Sequence, residues 1–477
     1  TFIYEGGFPM DRRKIAYGLL VLLVGLILWF IPPPAGMDLN GWRLLAIFIA
    51  VILGLILRPL PQGAIVIIGV GVSALTGILK IGDALSGFSN STVWLIFTAY
   101  MFARAFLKTR LGERIAYYFI RALGRRTLFL GYSISLTDLV LAPAMPSNTA
   151  RAGGVIYPIV RSICHAYDSE PGPTAKKVGK FLIFNEYHTT LVTGAMFLTG
   201  MAANPLVAQL ASQTIKATVT WTNWLIGALL PGIITFLIIP PLIYFITKPE
   251  IKVSEEAPKL AREKLKELGP ATRQEKTLAV IFLIVLALWI LGDTIKLDAT
   301  ITALVGLSLM LIFGVLGWED VLGEKGGWDA LIWFGGLVSL ATGLNKLGVI
   351  NWIAEASKGI VSGWEWLAAF VVLAIIYYYV HYLMASMTAH VAAFFPAFAA
   401  VMVGVGAPPL LVALVLGYLT NLMAATTHYG TGPAPIYFGS GYLDIKEWWG
   451  YGFLLSVLYL LLWFGIGLPY WKLLGLW

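Results

Sequence analysis

The chain is short of charge. Asp, Glu, Lys and Arg make up 12% of its 477 residues, about half the share that a soluble domain carries. It has one cysteine, Cys164, so a disulfide framework is excluded. It has no phosphate-binding glycine loop, no His-Glu metal motif and no nucleophile elbow. ATP drive, hydrolysis and metal chemistry therefore find no support, and neither a cofactor nor a metal is expected. What is plentiful is apolar: hydrophobic residues reach 58%. A chain of this length and composition cannot hide its apolar surface in one soluble core, so it needs the lipid bilayer as solvent. The net charge of +8 raises the question of nucleic acid. The basic residues lie between apolar segments, where the positive-inside rule predicts them, so no nucleic-acid partner is expected.

A spanning helix needs roughly 17–25 mostly apolar residues. The segments that qualify, some of them shorter than ideal, are Ile15–Ile31, Trp42–Leu57, Ala64–Leu79, Val93–Leu107, Phe181–Ala208, Trp224–Ile246, Thr277–Leu291, Ile301–Leu316, Trp328–Leu344, Leu410–Ala425 and Tyr451–Leu468. Arg12, Arg13 and Lys14 precede the first, but Pro32, Pro33 and Pro34 follow it in place of a cleavage site, so it reads as a span. Two further apolar regions are broken in the middle. Residues 127–164 are interrupted by Pro143, Pro146 and Ser147-Asn148-Thr149, and residues 366–404 by Ser386-Met387-Thr388. Each reads as a re-entrant hairpin that enters the bilayer and returns on the same side.

The predicted fold is thus an all-α polytopic membrane protein of eleven transmembrane helices and two re-entrant hairpins. Its parts are an N-terminal segment with the first span (1–41), a first repeat (42–247), a charged linker (248–276) and a second repeat (277–477). The basic N-terminal cluster, the stretch Arg104–Arg126 and the linker fall on one face in this count. That face is expected to be cytoplasmic, with the N-terminus on it, in a bacterial inner membrane. The repeats correspond in order. Leu111-Gly112 and Ile115-Ala116 match Leu347-Gly348 and Ile353-Ala354, and Ser147-Asn148-Thr149-Ala150-Arg151 matches Ser386-Met387-Thr388-Ala389-His390. The offset stays near 236–239 residues. Five spans per repeat, an odd number, make the second repeat inverted relative to the first. Inverted repeats with broken helices meeting at midplane are the architecture of secondary transporters, with an alternative in a channel or membrane enzyme with a polar midplane cavity.

The tips carry the chemistry. Each exposes the N-terminus of its second helix, where free N–H groups and the positive dipole end favour an anion. Ser147 and Thr149, or Ser386 and Thr388, are suited to cap those helices and to donate hydroxyls to a carboxylate. Arg151 and His390 occupy equivalent slots two residues beyond each tip Thr. If both are cationic, they form a site for a dianion. The competing readings are an Asp138-paired Arg151 and a neutral core His390. After each hairpin a span is interrupted by Gly and Pro, at 193–205 and at 426–441, so Gly430, Thr431, Gly432 and Pro433 join the candidate substrate residues. Glu186 and His188, near the start of a span, are candidates for a proton relay, against sitting at the interface or pairing internally.

The run Pro146-Ser147-Asn148-Thr149-Ala150-Arg151-x-Gly153-Gly154-Val155-Ile156-Tyr157-Pro158, with Ser386-Met387-Thr388 and Thr427-His428-Tyr429-Gly430-Thr431-Gly432-Pro433, resembles the divalent anion/sodium symporter superfamily. Within it, the branch of citrate/succinate and tartrate/succinate antiporters and 2-oxoglutarate/malate translocators is the nearest in pattern. The resemblance implies a homodimer with a fixed scaffold and a mobile transport domain working as an elevator. It also implies small di- or tricarboxylate anions as substrates, bound at the two tips, with Na⁺ there in sodium-coupled members. This sequence has Met387 where the family motif has Asn, which removes an amide oxygen suited to a hard cation. The expectation is therefore Na⁺-independent exchange of one carboxylate for another, with Arg151 and His390 replacing sodium as counter-charge. The alternative is Na⁺- or H⁺-coupled symport.

Overall fold

A computed structural model describes residues 12–357 and 363–477. The described chain is all-helical, with ten helices long and apolar enough to cross a membrane. Two shorter apolar helices, Gln62–Leu75 and Ala299–Ile312, add to them. The expected spans recur with shifted ends. Ile15–Ile31 is the helix Arg12–Phe30, Trp42–Leu57 is Leu39–Leu57, and Trp224–Ile246 is Trp221–Thr247. The ends move because capping residues outside the apolar runs set them. Asp38 accepts hydrogen bonds from the N–H groups of Asn40 and Gly41. Thr272 with Glu275, and Asp444 with Glu447, form capping boxes that open Arg273–Ile295 and Ile445–Gly465. At the other end, Arg58, Arg110, Lys216, Lys248 and Lys296 close their helices in the left-handed conformation. A basic residue there meets the negative end of the helix dipole and carries its charge toward water.

Without a hydrophobic drive between helices in lipid, close packing comes from small residues. A Cβ on Gly69 would lie 2.3 Å from Val51 Cγ2, and one on Gly336 would lie 2.4 Å from Val66 Cγ1. The helices Leu39–Leu57, Gln62–Leu75 and Lys325–Lys346 are thereby locked into one group. By contrast Arg12–Phe30 has no buried residue and packs chiefly against Leu39–Leu57.

Both interrupted regions fold as helix–turn–helix. The first runs Thr127–Leu141, a 3₁₀ turn Ala142–Ala144, a π-helical turn Thr149–Ile156 and Tyr157–Ala166. The second runs Trp366–Val380, a 3₁₀ turn His381–Leu383 and Met387–Gly404. The amphipathic arms before them are Leu111–Leu123 and Val349–Ser357. The span expected at Phe181–Ala208 is two helices, Gly179–Met196 and Ala203–Ile215. They are separated by an extended Phe197 and the 3₁₀ turn Leu198–Gly200. Its counterpart Pro409–Leu422 gives way to the turn Met423–Thr426 and an extended Thr427. The linker 248–276 holds a helix of its own, Glu256–Leu268, packed on the first arm. Arg114 fastens this contact, with Nε 2.6 Å from Glu275 Oε1 and an N–H donated to the Gly269 carbonyl at 2.9 Å.

Candidate functional site

The first tip and the second break meet. Asn148 donates its side-chain amide to Thr431 Oγ1 at 2.9 Å. Thr149 lies against Gly432 so closely that a Cβ there would stand 1.9 Å from Thr149 Oγ1. Within the tip, Ser147 Oγ accepts from the Ala150 N–H at 3.2 Å, which fixes the start of the π-helical turn. A π-turn widens the helix and often marks a functional position. Thr149 and Gly432 are exposed while Thr431 and Pro433 beside them are buried, so the contact forms an accessible face on a packed base.

The second hairpin reaches the same stretch from its other side. His381 Nε2 is 2.8 Å from the Gly430 carbonyl oxygen, and Tyr429 donates its hydroxyl to the Tyr382 carbonyl at 2.8 Å. Gly430 and Thr431, adjacent in sequence, are thus held from opposite hairpins. A Cβ on Gly430 would fall 2.9 Å from His381 Nε2 and 2.9 Å from Thr427 Oγ1, so glycine is required by space. At the second tip Ser386 caps Met387–Gly404, accepting from Ala389 N–H at 3.3 Å. The first-turn N–H groups of Met387 and Thr388 have no partner within the helix. Met387 is buried and Thr388 half-buried, so Met387 can serve a ligand through its backbone while its side chain packs inward.

Arg151 takes the Asp138-paired arrangement, against the expectation of a free counter-charge at the tip. Its side chain is fully buried, with Nε 2.9 Å from Asp138 Oδ1. Its other N–H groups go to the carbonyls of Met145 (2.7 Å) and Gly200 (2.8 Å) and to Thr190 Oγ1 (3.0 Å). The guanidinium has five donors in a fixed fork. Here they tie the first hairpin to the first broken helix and point away from the exposed face. The physical reason is burial: a permanent cation in an apolar core needs its anion beside it. Thr193 gives its hydroxyl to the other Asp138 oxygen.

His390 is also fully buried. Its ring packs edge-on to Tyr377 (centroids 4.4 Å), near Phe394 (5.1 Å) and His381 (5.3 Å). Neither ring nitrogen has a hydrogen-bond partner among the described residues. Glu186 and His188, read from sequence as near an interface, are both buried inside Gly179–Met196. His188 Nδ1 lies 2.9 Å from the Tyr459 hydroxyl.

The sequence reading missed the knot where the broken helices cross. Asn421 donates to Asn204 Oδ1 at 2.8 Å, and Asn204 donates to the carbonyls of Gly194 (2.8 Å) and Phe197 (2.9 Å) that the break sets free. The signal was present: Asn421 is an amide inside the apolar run 410–425, and such residues in a span demand a partner. His381, nine residues before His390, was equally legible and equally overlooked.

The profile of the family described as sodium:sulfate symporter transmembrane region matches residues 12–477. The chain is 50% identical over 465 residues to the Bacillus subtilis (strain 168) protein named "Putative malate transporter YflS", covering 97% of each chain. It is 45% identical over 472 residues to the Arabidopsis thaliana protein named "Dicarboxylate transporter 1, chloroplastic", covering 98% of this chain and 85% of that one. Among solved structures, the Alcanivorax borkumensis YdaH transporter has a similar fold, with a TM-score of 0.56 at 14% identity, over 96% of this chain and 100% of that one.

Proposed function

The chain belongs to the sodium:sulfate symporter family, within the divalent anion/sodium symporter superfamily, and is an integral membrane transporter rather than an enzyme; we propose that it exchanges dicarboxylates, one anion for another, without sodium. The relatives' names support the substrate class. The observation that carries the reading is the clamp on Gly430-Thr431, held by His381 from one hairpin and by Asn148 from the other. In this reading the second break lies between the two hairpins, and the capped helix starts at Ser147–Thr149 and Ser386–Thr388 each offer free N–H groups to a carboxylate. Two helix N-termini suit two carboxylates.

Sodium independence rests on the second tip, where Met387 offers no side-chain oxygen to a hard cation. The counter-charge role is narrower than the sequence suggested. Arg151 acts through Asp138 as the brace of the first tip, and His390 is the group left to gain charge. His390 has no hydrogen-bond partner among the described residues, and in this proposal the bound dianion is what holds a proton on its ring against the cost of burial. Affinity should then weaken as pH rises, although the substrate stays ionised.

The two hairpins, residues 181–246 and residues 410–468 form the moving body of an elevator in this proposal, so Trp221–Thr247 and Ile445–Gly465 move with the broken helices, and the remaining spans form the scaffold of a homodimer. The count of eleven spans with two re-entrant hairpins and a cytoplasmic N-terminus belongs to the same proposal. Liposomes with purified protein test the transport reading. Uptake of labelled malate or succinate that needs internal dicarboxylate but no Na⁺ gradient is expected. Uptake into empty liposomes driven by Na⁺ would overturn exchange. Replacing His390 with Ala should weaken binding and flatten its pH profile; an unchanged profile would make His390 structural.

A further inference from the structure

Behind the first tip lies a cluster that substrate binding does not use. Glu186 is fully buried on Gly179–Met196, and neither of its oxygens receives a hydrogen bond from an N–H or hydroxyl of the described residues. It lies four and seven residues before Thr190 and Thr193, on the face of Gly179–Met196 that meets Arg151 and Asp138. Asp138 is already occupied, one oxygen by Arg151 Nε and the other by the Thr193 hydroxyl. Arg151 has spent its remaining donors on Met145, Gly200 and Thr190. From the segment Ala434–Gly439, Tyr437 is a further titratable group near the pair, and its hydroxyl is committed to the Ala152 carbonyl at 2.9 Å.

The count of charges is therefore two carboxyl groups against one guanidinium, with no donor left for Glu186 among the described residues. Two ionised carboxylates would leave a net negative charge in an apolar interior, at a cost that a single proton removes. We propose that Glu186 and Asp138 form a proton-binding site, holding one exchangeable proton between them next to the Arg151 brace. The proton sits on a Glu186 oxygen and is donated to the Asp138 carboxylate. On release it passes to water and leaves a second anion behind the first tip. That anion opposes the entry of a dicarboxylate, so proton and substrate favour each other's binding and do so reciprocally. This last step rests on the dicarboxylate reading; the proton site itself does not.

The test has two arms. Infrared spectroscopy of the substrate-free protein at neutral pH should show the C=O stretch of a protonated carboxylic acid, shifted by deuterium exchange, that is missing from E186Q. E186M is the second variant, since an apolar side chain also leaves Asp138 and Arg151 paired. Calorimetric titration with malate should give a Kd that weakens by roughly tenfold between acidic and alkaline buffer, with proton uptake on binding. E186Q should show a shallower slope and lose that uptake, keeping only the share due to His390. An identical infrared band in wild type and both variants would overturn the proton site. A Kd profile and proton uptake in E186Q matching wild type would overturn the coupling. Should no dicarboxylate bind at all, the transport reading falls and the infrared arm still judges the site.

Discussion

Gly432→Ala is the most direct probe of the contact between the first tip and the second break. Gly432 does not occupy the left-handed region, so alanine adds a methyl group without backbone strain. That methyl would stand 1.9 Å from Thr149 Oγ1 and 3.3 Å from Thr149 Cβ. Real contacts of this kind essentially never fall below 3.0 Å, so one partner must retreat by about 1 Å. The contact with Thr149 Cβ is tight but tolerable, so the clash is with Oγ1, and relieving it takes either a change of the Thr149 rotamer or a shift of the tip. Overpacking of this size costs about 1–3 kcal/mol, and if it falls on the loaded geometry, affinity drops about 5- to 150-fold. The assay is Kd for malate by calorimetry, on G432A, T149A and the double variant, with melting temperature as a control for folding. Thr149→Ala removes the hydroxyl at 1.9 Å and leaves the tolerable contact at 3.3 Å. Gly432→Ala should therefore cost far less in the T149A background than beside the native Thr149. Wild-type affinity in G432A would refute the reasoning, as would an equal loss in both backgrounds.

In the E186Q background, where no second carboxylate can take its place, Asp138→Asn leaves Arg151 charged and buried without an anion, so stability should fall by about 3–5 kcal/mol; adding Arg151→Met should recover part of it, and a melting temperature equal to that of E186Q alone would contradict the brace. Arg114→Ala should destabilise the protein by a similar amount, because its partner Glu275 is buried with it, while malate affinity stays unchanged. Arg114→Lys should rescue poorly, since lysine lacks the fork that reaches both Glu275 and the Gly269 carbonyl; full thermal rescue would count against this. Gln213 donates its side-chain amide to Thr342 Oγ1 at 2.7 Å, and its backbone carbonyl accepts from Asn345 at 3.2 Å, joining a broken helix to Lys325–Lys346. Gln213→Ala should change the exchange rate in liposomes with Kd held constant, and a change confined to Kd would argue against these contacts being broken during transport.

Much of this protein is written in its sequence. Apolar length locates most of the long helices, because a bilayer demands that length whatever the neighbours do, but it does not show that 181–208 is two helices. The repeat marks the hairpins and both breaks, because Gly, Pro and capping hydroxyls act on the backbone within a few residues. What the sequence leaves open is where a long polar side chain finds its partner. Arg151 and His390 occupy equivalent places in the sequence pattern, yet one is enclosed by Asp138, Thr190 and two carbonyls while the other packs against the rings of Tyr377, His381 and Phe394. Asp138 lies 13 residues from Arg151, and Thr431 lies 283 from Asn148. Local propensity cannot reach across such separations. The energy of a buried charge depends on every group within a few ångströms, and only the packed helices decide which groups those are.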